Sequence, residues 1–219
     1  AREEVRAERE DLEALLGDDW VIAHGAACAK GRGGGAIATR ADHDDVRVDF
    51  GPKTVDTAGG WVEVDITTPA GNPFTVVSCY VHSGGAGTPK QDAKYEFLDI
   101  MTKQMKKLGA LNRPTVVVGD LNVGHRWLDI RNWKGNLKNS GFLPEERAYF
   151  DTWIGHEDSD DYNTGTDGRF VDVGRKVHGE VEGPYSWWSW RGKAFDNDTG
   201  WRIDYHLANA PLEATVLHY

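Results

Sequence analysis

The sequence predicts an α/β protein made of two packed sheets flanked by helices. Short runs rich in β-branched and aromatic residues recur along the chain, several of them in period-two alternation. One long segment, 92–108, has a helical period instead, and glycine or proline punctuates most of the runs. Strands separated by single helices fit either a doubly wound sheet or two packed sheets with helices outside. Short alternating runs with hairpin-like spacing favour the second.

Taken in order, residues 3–16 suit a helix, with Val5, Leu12, Leu15 and Leu16 roughly on one side and Gly17 ending it. Residues 20–23 suit a short strand. The glycine-rich 31–35 reads as a flexible turn, because it has neither Walker spacing nor the strand-then-helix setting of a dinucleotide fingerprint. Strands follow at 36–39, 46–50, 61–67 and 74–81. In the third, Val62, Val64 and Ile66 alternate with Trp61, Glu63 and Asp65, a half-exposed pattern. Residues 92–108 place Phe97, Leu98, Met101, Met105 and Leu108 at three-to-four spacing, the methionines acting as core filler. A strand at 115–118 comes next, then an irregular amide-rich segment. Pro144 then opens a helix with Glu145 and Glu146 in its first turn, and Gly155 closes it. A loop rich in Asp, Gly and Asn covers 155–168, and two late strands, 185–190 and 202–208, bracket a polar turn containing Asp196 and Asp198.

Composition bounds the class. A chain of 219 residues with 39% hydrophobic content supports one globular domain. The apolar runs are strand-length and the opening residues are charged, so a cytoplasmic monomer without a membrane partner is expected. Cys28 and Cys79 are far apart with no Cys-x-x-Cys spacing, which favours buried thiols over a disulfide. The net charge of −10 argues at first against a polyanionic partner. Its distribution argues otherwise: residues 1–20 and 155–182 each carry eight acidic and three basic side chains and account for the excess. Residues 125–139 hold Arg126, Arg131, Lys134 and Lys138 against Asp129 alone.

The chemistry is signalled at 115–123, where three consecutive valines with no polar alternation suit a strand covered on both faces, ending at Gly119-Asp120-Leu121-Asn122. Asp120 and Asn122 stand two apart, so in an extended chain both side chains point one way. A carboxylate beside a carboxamide suits a hard cation, Mg²⁺ with Mn²⁺ as a substitute, and a bound phosphate or water. A turn or helix cap would also use these residue types.

Gly119-Asp120-Leu121-Asn122, with the segment from Asp129 to Arg147, closely resembles the signature of the exonuclease III family of apurinic/apyrimidinic (AP) endonucleases, within the endonuclease/exonuclease/phosphatase superfamily. Trp201-Arg202-Ile203-Asp204-Tyr205 and Val77-Ser78-Cys79-Tyr80-Val81 resemble two further family blocks, and the resemblance runs from about Gly34 to the last residue. It implies a four-layer α/β/β/α sandwich with the active site at one end of the two sheets. The activity implied is Mg²⁺-dependent incision of duplex DNA 5′ of abasic sites, with 3′→5′ exonuclease and 3′-phosphodiesterase activity at 3′ ends. The family's opening strand, which bears a metal-binding glutamate, and its closing Ser-Asp-His-x-Pro segment have no match. The expectation is therefore one domain over 1–219 lacking both, from a longer gene product.

By this resemblance Asp120 is the base or water-positioner, Asn122 a transition-state donor or metal-side ligand, Tyr80 a phosphate or leaving-group contact, and Asp204 the orienter of a catalytic histidine. Asp120 and Asn122 are the metal candidates. For DNA contact the candidates are Arg131, Lys134, Asn136, Lys138, Asn139 and Arg191, with Trp187 and Trp201 lining an abasic pocket. On spacing alone Tyr80 reads first as an aromatic packing a strand end, and at least some of Trp187, Trp188, Trp190 and Trp201 are expected to fill the core. Two rival functions share parts of the pattern: a superfamily phosphatase acting on a small phosphoester, and a non-catalytic DNA-binding module.

Overall fold

The computed structural model describes residues 1–26, 34–52 and 59–215. Its elements run β1 (Arg2–Val5), α1 (Arg9–Leu16), β2 (Val21–Gly25), β3 (Gly34–Thr39), β4 (Asp45–Val48), β5 (Trp61–Thr67), β6 (Pro73–Cys79), α2 (Pro89–Gly109) and β7 (Thr115–Asp120). They continue with α3 (Trp133–Asn136), α4 (Pro144–Ile154), β8 (Phe170–Asp172), α5 (Val173–His178), β9 (Trp187–Trp188), β10 (Gly200–Trp201), β11 (Asp204–Asn209) and α6 (Ala210–Glu213). Six strands form a mixed sheet in the order β4-β5-β6-β7-β11-β8, three form a second sheet, β1-β3-β2, and β9 pairs with β10 as a separate ribbon. Among the described residues only β6 and β7 pair in parallel, which follows from the long crossover through α2 that joins them.

Alternation along β5 separates two cores. Trp61 faces α2 and α4 and joins Val77, Cys79, Phe97, Leu98, Met101, Met105, Val117, Phe150 and Tyr205. Val62 and Val64 face the second sheet and pack on Ala23 and Ile37. Helices therefore cover one face of the large sheet and the small sheet covers the other, with α1 adjoining β2. This is the expected α/β/β/α arrangement.

Several elements depart from the sequence reading. The segment 3–16 is a strand followed by a shorter helix: Arg2 and Val5 of β1 pair with Ala36 and Gly34 of β3. A run of charges with one valine suits an edge strand, and its match to the phase of α1 is coincidental. α1 buries none of its residues, and Leu15 is 81% exposed. β5 is covered on both faces, for Glu63 and Asp65 are buried. Their carboxylates are held by Arg47, Arg113, Trp61 Nε1, Gln104 and Thr75, so polar residues at alternate positions here mark a paired interior rather than solvent. The late strands are shorter than expected, and β8 and α5 fall in a stretch assigned no element. In β7, Thr115, Val117 and Gly119 are buried while Val116 and Val118 are half-buried. The glycine turn expected at 31–35 falls partly outside the described residues; Gly34 and Gly35 open β3, and Cys28 also lies outside. Cys79 is a buried thiol outside any disulfide, with Sγ 3.9 Å from Met101 Sδ.

Gly119 is the tightest point of the sheet. Its φ is +143°, and a Cβ there would stand 1.8 Å from the Cys79 carbonyl oxygen, so the end of β7 crosses β6 only without a side chain. Gly119→Ala is expected to destabilise the protein by about 3 kcal/mol or more, the upper range for forced overpacking against backbone. Equilibrium urea unfolding checks it, and an unchanged midpoint would show that the strands separate freely here.

Candidate active site and nucleic-acid face

Three neighbouring strands bring the candidate groups into one row. β11 pairs antiparallel with β7 so that Asp204 lies opposite Asp120, and β6 pairs in parallel with Ser78 opposite Val118. Two residues further along, Tyr80 is level with Asp120. The row sits where β7 ends. There the Val81 amide donates to the Asp120 carbonyl (2.9 Å) and the Leu121 amide to the Ile203 carbonyl (2.9 Å).

The turn after Asp120 is built around its carboxylate. Asn122 takes a left-handed φ of +50°, a conformation asparagine tolerates better than most residues. Its backbone N–H donates to Asp120 Oδ1 (2.8 Å), and its Nδ2 donates to Asp120 Oδ2 (3.0 Å) and to the Val81 carbonyl (2.8 Å). A carbonyl can only accept, so the Val81 contact fixes which end of the amide is nitrogen. Both amide hydrogens are thereby engaged, and oxygen is the atom the side chain has left to offer.

The sequence reading missed Glu4. On β1, which crosses β6 and β7, Glu4 adopts φ +53° and hydrogen-bonds the Tyr80 hydroxyl. Ser78 Oγ ties the same strand down by donating to the Arg2 carbonyl (2.9 Å). Burial, then the bond to Glu4 and the charges of Glu4 and Asp120, push the Tyr80 pKa up against the pull of Arg6, so the phenol stays protonated. Glu4, Asp120 and the Asn122 amide oxygen are hard donors of the kind that hold Mg²⁺ through one or two carboxylates and waters. Among the described residues no three His, Cys, Asp or Glu side chains form a cage by themselves. The donors thus fit a divalent ion completed by water and substrate oxygens. Its φ and its bond to Tyr80, both invisible in sequence, mark Glu4 out from the neighbouring acids.

Asp204 is half-buried, and burial raises its pKa; its neighbours Ser186 and His206 oppose the rise. Ser186 Oγ accepts from the amides of Ile203 (3.1 Å) and Asp204 (3.2 Å), fastening the β9 ribbon to the row. Trp187 and Trp201 meet edge to face with centroids 6.3 Å apart. A Cβ on Gly141 would stand 2.8 Å from the Trp201 ring and 3.3 Å from the Asn122 carbonyl, so the tryptophan pair adjoins the Asp120–Asn122 turn. Neither tryptophan is in the core. Nor are their neighbours: Trp188 is half-buried against Phe195, which is itself 71% exposed, and Trp190 is 102% exposed.

The remaining candidates, Arg191 apart, lie on the amide-rich loop. Its basic character is smaller than the sequence count implies. Arg126 is paired with Glu157 and Glu180, and Arg131 with Glu182. Lys134 sits over the Trp133 ring at 5.4 Å, and Lys138 is exposed. Asn139 Nδ2 donates to Asn136 Oδ1 (2.8 Å), and Asn136 Nδ2 to the Asn132 carbonyl (2.9 Å), so the two amides brace one another. Arg191 lies exposed in the turn between β9 and β10.

Beneath the loop, Asp129 is fully buried. Its Oδ1 accepts from Arg175 Nη2 (2.6 Å) and Arg202 Nε (2.8 Å), and its Oδ2 from the Arg126 amide (2.8 Å). Arg202 also grips Asp172 through both terminal nitrogens. Burial works to raise the Asp129 pKa, but Arg202, Arg175 and the Arg126 amide hold it down to about 2. Asp129, counted as the loop's lone acid in the sequence, is thus a structural charge.

The model of the Endonuclease/Exonuclease/phosphatase family matches residues 3–218, a longer reach than the resemblance from Gly34 implied. An exodeoxyribonuclease of Bacillus subtilis is 28% identical over 202 residues, covering 92% of this chain and 73% of that protein. One from Streptococcus pneumoniae is 33% identical over 166 residues, and there the match spans 72% of this chain and about half, 51%, of the relative. An AP endonuclease from Archaeoglobus fulgidus shares the fold, with a TM-score of 0.76 at 22% identity over 97% of this chain and 76% of that one.

Removing one partner of the buried cluster leaves an uncompensated charge, so Arg202→Met is expected to cost about 3–5 kcal/mol at neutral pH. Because the folded pKa of Asp129 lies below the usual carboxylate value, its stabilisation is present above about pH 4 and is lost as pH falls toward about 2. Urea unfolding of both proteins at pH 7 and pH 3 should show the difference shrinking at the lower pH. A loss under about 1 kcal/mol at pH 7 would mean the cluster contributes little.

Proposed function

The chain belongs to the endonuclease/exonuclease/phosphatase family, and from that premise we propose that it is a DNA-repair nuclease of the exonuclease III group of AP endonucleases. In this reading it hydrolyses the phosphodiester 5′ of abasic sites in duplex DNA and removes nucleotides and blocking groups from 3′ ends. The observation that carries the proposal is the row of Tyr80, Asp120 and Asp204 on β6, β7 and β11, with Asn122 locked to Asp120. The names of the Bacillus, Streptococcus and Archaeoglobus proteins agree with it.

In-line hydrolysis needs neutralised phosphoryl charge, an oriented water, and a path for the leaving alkoxide. Glu4 and Asp120, with the Asn122 oxygen, would hold Mg²⁺, which when bound neutralises the phosphoryl oxygens. Asp120 orients the attacking water and accepts its proton; its two oxygens are already fixed in angle by the Asn122 amides. Tyr80, kept protonated beside Glu4, would turn its one hydroxyl proton from Glu4 to a phosphoryl oxygen once substrate is bound. Asp204, which flanks Asp120 on the side away from Tyr80, would orient a catalytic histidine, as the resemblance implies. Trp187 and Trp201 form an apolar wall beside the turn, suited to an extrahelical sugar. Lys134, Lys138, Arg191, Asn136 and Asn139 contact the backbone, with Arg131 held back by Glu182.

On a duplex with one abasic analogue, incision should require a divalent ion and stop in EDTA. Asp120→Asn should lower it at least about 10²-fold, the low end for losing a positioned acid or base. Near-normal turnover by a folded variant would remove Asp120 from the chemistry. A preference for a small phosphomonoester over the duplex would favour the phosphatase reading instead.

With Arg126 and Arg131 already paired, Lys134 and Lys138 are the loop's cations for DNA. Replacing both by Ala should weaken duplex binding without regard to sequence and flatten the dependence of log K on log salt by about two units at most. An unchanged slope would show that the loop faces away from the DNA.

A further inference from the structure

The helical stripe of α2 that faces the core runs through Leu98, Met101, Met105 and Leu108, yet its first two positions are Gln91 and Lys94, both buried. Lys94 is wholly excluded from solvent, and so is its partner Glu146 on α4, 2.6 Å away. An ion pair so placed carries a large desolvation cost and is a poor source of stability in itself. Its connections show what it does. Lys94 Nζ also donates to the Asn122 carbonyl (2.9 Å), the turn that holds Asp120. Glu146 Oε1 accepts from Gln91 Nε2 (3.0 Å) and Ser140 Oγ (3.2 Å), and Oε2 from the amides of Gly141 (2.6 Å) and Leu143 (3.0 Å). The Gly124 amide closes the loop by donating to the Gly141 carbonyl (2.8 Å).

We propose that Lys94 and Glu146 are positioning residues that fix the Asp120–Asn122 turn to the loop ending at Leu143, so one buried anchor sets both the catalytic pair and the DNA-facing loop. This rests on the nuclease reading. Lys94 touches no substrate. It holds the carbonyl of a residue in left-handed conformation, and without that bond the turn can relax and carry the Asp120 carboxylate out of line.

The test uses Lys94→Met, Lys94→Arg and the double variant Lys94→Met/Glu146→Gln. The double variant removes both charges while keeping an oxygen for the Gly141 and Leu143 amides, so it is the one expected to fold if Lys94→Met does not. In it, single-turnover incision of an abasic duplex should fall at least about tenfold, as displacement of a reacting group by a fraction of an ångström does. The Kd for the same duplex, measured in EDTA, should change less than about threefold, and Lys94→Arg should recover most of the rate by restoring a charged donor. A purely structural pair would lower the melting temperature and leave the rate of the folded molecules unchanged, which would overturn the proposal. A second readout is independent of activity. Amide exchange at Asn122 in the metal-free protein should quicken at least about tenfold in the double variant relative to Val117 in the same strand region. If the unaltered protein fails to incise the duplex, the nuclease reading falls, and the exchange result still decides the anchor: unchanged Asn122 exchange rejects it.

Discussion

Everything around the site hangs from a buried square of charge: Asp129 and Asp172 against Arg175 and Arg202. Two cations and two anions cancel, and each carboxylate is met by several donors, the condition under which ions are tolerated in an interior. The square joins three separate pieces of chain. Asp129 begins the amide-rich loop, Asp172 ends β8 and caps α5 through the Arg175 amide (3.0 Å), and Arg202 enters β11. Arg202 also lies over the Tyr205 ring at 4.6 Å. The Tyr205 hydroxyl donates to the Val123 carbonyl (2.8 Å) and accepts from the His125 amide (3.1 Å). A path of fixed bonds thus runs from the square to the residues just after Asn122.

The Asp120–Asn122 turn is consequently held from two directions. Tyr205 fixes its exit from the side of β11, and Lys94 fixes its middle from the side of α2. Gly119 fixes its entry by letting β7 lie against the Cys79 carbonyl. A water-positioning carboxylate is useful only if its angle is set before substrate arrives, since reorganisation during reaction costs barrier height. On the proposed function, the angle of the Asp120 carboxylate is set by three independent packing constraints, none involving a residue that would touch the phosphate. The exposed parts, the β9–β10 ribbon and the amide-rich loop, are attached to that frame at Ser186 and Gly141.

Much of this was legible in the sequence, for identifiable reasons. The valine run of β7, the stripe of α2 and the Pro144 to Gly155 limits of α4 are strong periodic or capping signals, and Asp120, Asn122, Tyr80 and Asp204 stand in long motifs. What escaped were features created by tertiary pairing. Glu63 and Asp65 read as solvent-facing because alternation cannot distinguish water from an arginine partner. β1 read as helix because four residues are too few to have a period of their own. Lys94 and Glu146 sat in plain view at core positions, and a charged residue in phase with an apolar stripe was the overlooked sign. Arg202 belongs to the same motif as Asp204, yet its chemistry is spent in the interior; a motif thus mixes site and scaffold, and only contacts separate them.

The acidic composition is resolved in the same way. Of the acids in 155–182, Glu157, Glu180 and Glu182 pair with Arg126 and Arg131, Asp161 with Arg169 of its own segment and Asp172 with Arg202, so part of the acidity that seemed to repel DNA is counter-charge to arginines. What remains outward on that loop is Lys134 and Lys138, with Arg191 exposed on the neighbouring turn. Screening over about 8 Å at physiological salt makes those near charges count for more than the distant sum of −10. Two or three lysines and arginines alone give modest, salt-sensitive affinity. The balance falls to surfaces that salt does not weaken: Trp187 and Trp201 beside the turn, and Trp190 and Phe195, which the fold leaves exposed. Stacking contributes about 1–3 kcal/mol per base and is indifferent to net charge. On the proposed function, these exposed rings supply the contact with DNA that the few outward cations do not.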